Sequence, residues 1–150
     1  MASEIIQEIQ QRISCLADEK RANHSRLLFK TGPGQYSQGD IFRGIRVPVL
    51  RKLAAEYRTL SIVETAELLS SSFHEDRLLA LIILVRLFAR GDNETRQRIY
   101  TLYLDNTQYV NNWDLVDSSA EYIVGAFLSG KKTSVLYHLA RSNIFQSVQD

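Results

Sequence analysis

Apolar residues recur at helical spacing along almost the whole chain, and no run of strict alternation bounded by turn residues interrupts them, so the pattern predicts an all-α fold. Ser3 is placed to cap a first helix whose Ile5, Ile6, Ile9, Ile13 and Leu16 form one stripe, and a second helix is expected over residues 19–29. Residues 31–40, with Gly32, Pro33, Gly34 and Gly39, read as one long loop. Pro48 suits the first turn of a helix, where its missing N–H costs nothing, and Leu50, Leu53, Ala54 and Tyr57 give that helix a face to bury. Ser61 and Glu64 have the spacing of a capping box, which predicts a short helix over residues 62–69. Residues 74–89 are apolar nearly all round, as a helix covered on several sides must be, and Gly91 is placed to end it. A helix over 94–104 follows. Asn111 or Asn112 then caps another that runs to about Leu128 before Gly130 stops it, and a last helix covers 133–141.

From Pro48 onward these elements pair as 48–69, 74–104 and 113–141. Each pair with its turn occupies about 25 to 35 residues, close to the period of helical hairpins that stack to bury a core none of them could bury alone. The pairing predicts a helical solenoid, with an irregular helical bundle as the alternative.

Composition narrows the class. The chain has 150 residues, 45% of them hydrophobic and 23% charged, with 7 glycines and 2 prolines, which fits one ordinary globular domain over residues 1–150 with no linker at which to divide it. A single cysteine, Cys15, rules out an intramolecular disulfide and a zinc cluster built on thiols, and fits a reducing cytoplasm. The apolar run from Leu78 to Val85 falls short of the roughly 20 residues that span a bilayer. Glu4 and Glu8, with no early Lys or Arg, do not read as a targeting segment, so a cytoplasmic protein without a membrane partner is expected.

The net charge of +1 hides an uneven distribution. Arg43, Arg46, Arg51, Lys52 and Arg58 stand against Glu56 alone, and Lys131, Lys132 and Arg141 stand against no acid. A basic stretch of this kind is either a solvated helix face or a set of phosphate contacts. His74, Glu75 and Arg77 cluster at the start of the central helix, where capping and inter-helix ion pairs are the expected roles. His24 and His138 have no ligand-forming neighbours at metal spacing, so no metal site is expected. Gly32, Pro33, Gly34 and Gly39 do not make a phosphate loop, since no strand precedes them and no Gly-Lys-Ser/Thr follows.

The most unusual segment is Val110-Asn111-Asn112-Trp113-Asp114-Leu115-Val116-Asp117-Ser118-Ser119. Trp113 and Asp117 are four apart, so on a helix an aromatic face and a carboxylate share one surface. Residue spacing leaves two readings open: a binding surface, or a core-anchoring Trp beside acids that favour the positive end of the helix dipole.

Three strings in order, Phe42-Arg43-Gly44-Ile45-Arg46-Val47-Pro48, His74-Glu75-Asp76-Arg77-Leu78-Leu79-Ala80-Leu81 and Asn111-Asn112-Trp113-Asp114-Leu115-Val116-Asp117, give the chain its resemblance to the AlkD-like DNA alkylation repair family. The resemblance extends over nearly the whole chain. It implies a right-handed helical solenoid of HEAT-like antiparallel helix pairs with a basic, concave, DNA-binding face. The activity it implies is excision of cationic N3- or N7-alkylated purines from duplex DNA, without metal or cofactor and without flipping the base into a deep pocket. By motif position Asp117 is then the catalytic carboxylate and Trp113 an aromatic that contacts the deoxyribose. Arg43, Arg46, Arg51, Lys52 and Asn112 are the expected DNA-binding residues.

The resemblance weakens from Ser142, where the family pattern continues to an aromatic, a pair of arginines and further repeats. Phe145 can stand for the aromatic, but residues 146–150 supply no arginine. Part of the DNA clamp is thus expected to be missing, and an open solenoid end would favour self-association or a partner chain. The alternative function is a non-catalytic helical-repeat module that binds DNA or protein. Solvent-facing Asp117, Trp113, Arg43 and Arg46 would favour the enzyme, and Asp117 buried in a capping network would favour the module.

Overall fold

A computed structural model describes residues 3–28, 40–111 and 113–129. The expected 31–39 part of the glycine loop, Asn112, Gly130, the last helix over 133–141 and the possible self-association surface at the chain's C-terminal end lie outside the described residues. So does the side chain of Trp113.

Among the described residues the chain is all-helical, in the order α1 (Glu4–Cys15), α2 (Glu19–Leu28), α3 (Val47–Glu56), α4 (Ile62–Leu69), α5 (His74–Arg90), α6 (Asn93–Asp105), a 3-10 turn (Thr107–Tyr109) and α7 (Trp113–Ala120). A wider π turn (Glu121–Gly125) and a final α-helical turn (Ala126–Leu128) continue α7 without a break, so the expected helix to Leu128 is present with a local expansion inside it.

The caps follow the sequence. The Ser3 hydroxyl accepts from Ile6 N–H at the start of α1. At α4 the Ser61 hydroxyl accepts from Glu64 N–H at 3.1 Å while the Glu64 carboxylate accepts from Ser61 N–H at 3.1 Å, completing the capping box. Ser61→Ala is accordingly expected to lower stability by about 1 kcal/mol in urea denaturation, the usual cost of losing such a cap. Leu16 departs from its expected place: α1 ends at Cys15, the chain turns off the Ile6, Ile9 and Ile13 stripe, and Leu16 is left 46% exposed.

Helix α5 is the axis of the molecule. Every residue from His74 to Leu84 is buried, and α3, α4, α6, α7 and the π turn all pack against it. This explains why its sequence is apolar on all sides: no face is left for water. Packing of α4 and α6 on α5 beside them, and of α3 and α7 on α5 two elements away, is compatible with a stacked-pair solenoid.

Candidate functional site

The first turn of α5 buries four polar residues in a row, His74, Glu75, Asp76 and Arg77. A charge withdrawn from water is tolerated only when it is paired or fully hydrogen-bonded, and each of these has found its partner outside α5. The Glu75 carboxylate accepts from the backbone N–H groups of Arg43 and Gly44 at 2.8 Å each and of Ile45 at 3.3 Å. Asp76 accepts from Arg43 Nε at 2.9 Å and Nη2 at 3.1 Å, from Ser71 Oγ at 2.8 Å and from Gln10 Nε2 at 3.2 Å. Arg77 Nη2 lies 2.7 Å from Asp40 Oδ1, and the same oxygen accepts from Asn111 Nδ2 at 2.9 Å. His74 Nε2 is 3.1 Å from Asp114 Oδ2, and its ring lies 4.6 Å from that of Phe42. The ion pair expected of Arg77 is present, although its partner Asp40 lies outside any helix, whereas Glu75 caps no helix and makes no ion pair: its carboxylate is taken up by the backbone N–H groups of residues 43–45. Acids in this first turn also face the positive end of the α5 dipole.

These contacts fasten a strap, residues 40–46, across the start of α5. His74 N–H donates to Ile41 C=O at 2.8 Å, and Asp18 N–H donates to Arg43 C=O at 2.8 Å, so the strap is held from both sides. Gly44 sits at φ +80°, and a Cβ there would come within 2.0 Å of the Asp18 carbonyl oxygen. Only glycine fits a left-handed position so close to another backbone. The start of α7 is tied to the same base through His74 with Asp114 and through Asn111 with Asp40. The strap that carries Arg46 and the helix that carries Asp117 thus take their positions from one turn of α5.

Between α2, the strap and the starts of α5 and α7 lies a cavity of about 460 Å3. Phe42, Ile45, Val47 and Leu78 form its apolar side, and Lys20, Arg21, His24 and Arg46 stand around it. Asp114 also lines it and keeps 31% of its side chain exposed. Lys20 and Arg21, which α2 brings to this cavity, were not singled out in the sequence, and His24 was considered only as a metal ligand, because an amphipathic pattern is weak in α2 and nothing in the spacing of these residues points across the chain to Arg46.

Asp117 is exposed on α7 and makes no hydrogen bond or ion pair among the described residues. It is one turn beyond Trp113, the first residue of α7, and three residues beyond the cavity-lining Asp114. The opposite side of α7 is anchored internally. Ser119 Oγ donates to Leu115 C=O at 2.6 Å and pairs with Tyr103 Oη at 2.9 Å. Burial pushes the Tyr103 hydroxyl up to about 12, against a smaller lowering by Ser119. The anchor holds the helix in rotation so that Asp117 points away from the core.

The basic residues divide. Arg46, Arg51 and Lys52 are exposed. Arg43 is placed differently from the expected phosphate ligand: its side chain is 9% exposed, its guanidinium is engaged by Asp76, and it lies 3.6 Å over the Phe73 ring. The physical reason is Asp76, which is fully buried and requires a cation. Among the described residues no group of three His, Cys, Asp or Glu side chains has the geometry to hold a metal ion, and no helix is long and apolar enough to cross a membrane.

Neither a curated protein nor a solved structure matches the chain. A family model described as DNA alkylation repair enzyme does match, over residues 9–145, and thus takes in the strap, the first turn of α5 and the Asn-Asn-Trp-Asp-Leu-Val-Asp string. On that match the chain belongs to the DNA alkylation repair enzyme family, and its role is in DNA repair.

Proposed function

We propose that the protein is a DNA glycosylase that excises cationic N3- or N7-alkylated purines from duplex DNA, with Asp117 as its catalytic carboxylate. The observation that carries the proposal is an exposed carboxylate without a partner among the described residues, on a helix held in place by α5, in a chain of the DNA alkylation repair family.

The chemistry suits that residue. An alkylated purine already bears a positive charge, so the bond from deoxyribose C1′ to the purine nitrogen breaks with its electron pair going to the base, which leaves neutral. The sugar is left with oxocarbenium character. A carboxylate beside it stabilises the developing positive charge and orients the water whose oxygen bonds to C1′, the released proton passing to solvent. The products are the free alkylated base and an abasic site, and no metal or cofactor enters the balance. Trp113, one turn earlier on α7, would face the deoxyribose, where an aromatic surface attracts a developing cation. Arg46, Arg51, Lys52 and Asn112 would contact the backbone of the duplex. Arg43 would act at one remove, holding the strap that presents Arg46.

The test is release of 7-methylguanine from methylated duplex DNA at low salt, with binding followed in the same samples and Asp117→Asn beside the natural chain. Release that depends on Asp117 supports the proposal. Binding without release would leave a DNA-binding module, and neither would refute both. If Arg46 contacts a phosphate, Arg46→Gln should weaken binding alike for all sequences and reduce the slope of log K against log salt by about 0.9, which a salt titration reads directly.

A further inference from the structure

The cavity beside α2 has the composition of a nucleotide site, and we infer that it binds one nucleotide unit, a planar base joined to a phosphate, either free or at an unpaired position in a strand. This inference goes beyond excision and requires nothing of Asp117.

Its volume of about 460 Å3 lies within the range of about 300 to 1,000 Å3 typical of small-molecule sites. Part of its lining is apolar, from Phe42, Ile45 and Leu78, with the Phe42 ring tilted by 32° against that of His74 at 4.6 Å. A planar base is the group that fills such a slot with contact on its faces and water left at its edge. The charge balance at the mouth favours an anion. Lys20 and Arg46 have no ion-pair partner among the described residues, and Arg21 has only an exposed contact of 3.7 Å with Asp18.

The two acids that line the cavity are already engaged. Glu75 spends its carboxylate on three backbone N–H groups, and Asp114 lies against His74. The exposed part of Asp114 still offers an acceptor in the lining, which suits the N–H edge of guanine. The walls are also fixed beforehand. Gly44 is pressed against the backbone of Asp18, and Glu75 pins residues 43–45, so a ligand would meet a slot that needs little ordering.

The experiment titrates the natural chain with dGMP, deoxyguanosine and inorganic phosphate separately, followed by calorimetry and by the amide signals of Gly44 and Ile45. If base and phosphate each contribute, dGMP should bind at least about tenfold more tightly than either part alone. Lys20→Glu together with Arg46→Glu should remove most of that affinity, and Ser25→Trp should remove it by filling the cavity without touching a charge. Thermal melting of each variant checks that the fold persists. A second arm compares a fully paired duplex with one that carries a single unpaired guanine. Preference for the unpaired guanine identifies the nucleotide as part of a strand, whereas dGMP binding without that preference identifies it as free. Equal affinity for phosphate and dGMP, dGMP binding that survives Ser25→Trp, or no binding of dGMP at all would overturn the inference. None of these readings depends on base excision, so a protein without glycosylase activity can still pass.

Discussion

Asp117→Asn should lower the rate of 7-methylguanine release by about a hundred- to a thousandfold, the usual cost of removing one preorganised group that stabilises transition-state charge. Asparagine keeps the size and polarity of the side chain and discards its charge, so the loss would measure electrostatic stabilisation of the oxocarbenium-like sugar. Because Asp117 is exposed and makes no hydrogen bond or ion pair among the described residues, the same substitution should leave the unfolding free energy within about 0.5 kcal/mol of the natural chain. DNA affinity should stay equal or rise slightly, since the substitution removes repulsion between a carboxylate and the phosphates. Single-turnover release on bound DNA, with urea denaturation alongside, separates the three effects. Undiminished release would remove Asp117 from the mechanism, and equal loss of release and stability would make it a structural residue.

Much of this arrangement was legible in the sequence, and the parts that were not share a physical cause. Local signals were reliable: the Ser61 and Glu64 capping box, Gly91 as the end of α5, and a helix starting near Pro48 all depend on residues within one turn of each other. The central position of α5 was legible too, because a helix that is apolar on every side has no solvent-facing alternative. Arg43 was not. It belongs to a basic run and reads like Arg46, yet its partner Asp76 lies 33 residues away, and only the packing of the strap onto α5 brings the two together. The cavity escaped for the same reason, since Lys20 and Arg21 on α2 meet Arg46 only when Gly44 docks against Asp18. Leu16 kept the helical period but fell one residue beyond the helix, where period no longer decides burial.

The strap explains the expected result of the second large perturbation, Glu75→Gln. Three backbone donors converge on the two oxygens of this 3% exposed carboxylate, so its charge and both acceptors are in use. Glutamine supplies one oxygen and turns an NH2 group toward at least one N–H, leaving a buried donor facing a donor. A buried donor without a partner costs about 1 to 3 kcal/mol, and breaking a buried charged contact typically costs about 3 to 5 kcal/mol, so a loss of about 3 kcal/mol is expected in urea denaturation. Glu75→Asp keeps the charge but shortens the reach by one methylene, and should fall between glutamine and the natural residue if geometry as well as charge is at work. The loss should appear first where the strap is held: amide exchange at Gly44 and Ile45 should accelerate more than at Leu81 within α5, because local release of residues 40–46 needs less free energy than global unfolding. Binding of DNA should weaken in step with that release, since Arg46 follows the strap. If Glu75→Gln instead stays within 1 kcal/mol of the natural chain and Gly44 exchanges no faster, the strap is held by Arg43 with Asp76 and by Ile41 with α5, and the Glu75 carboxylate only accompanies it.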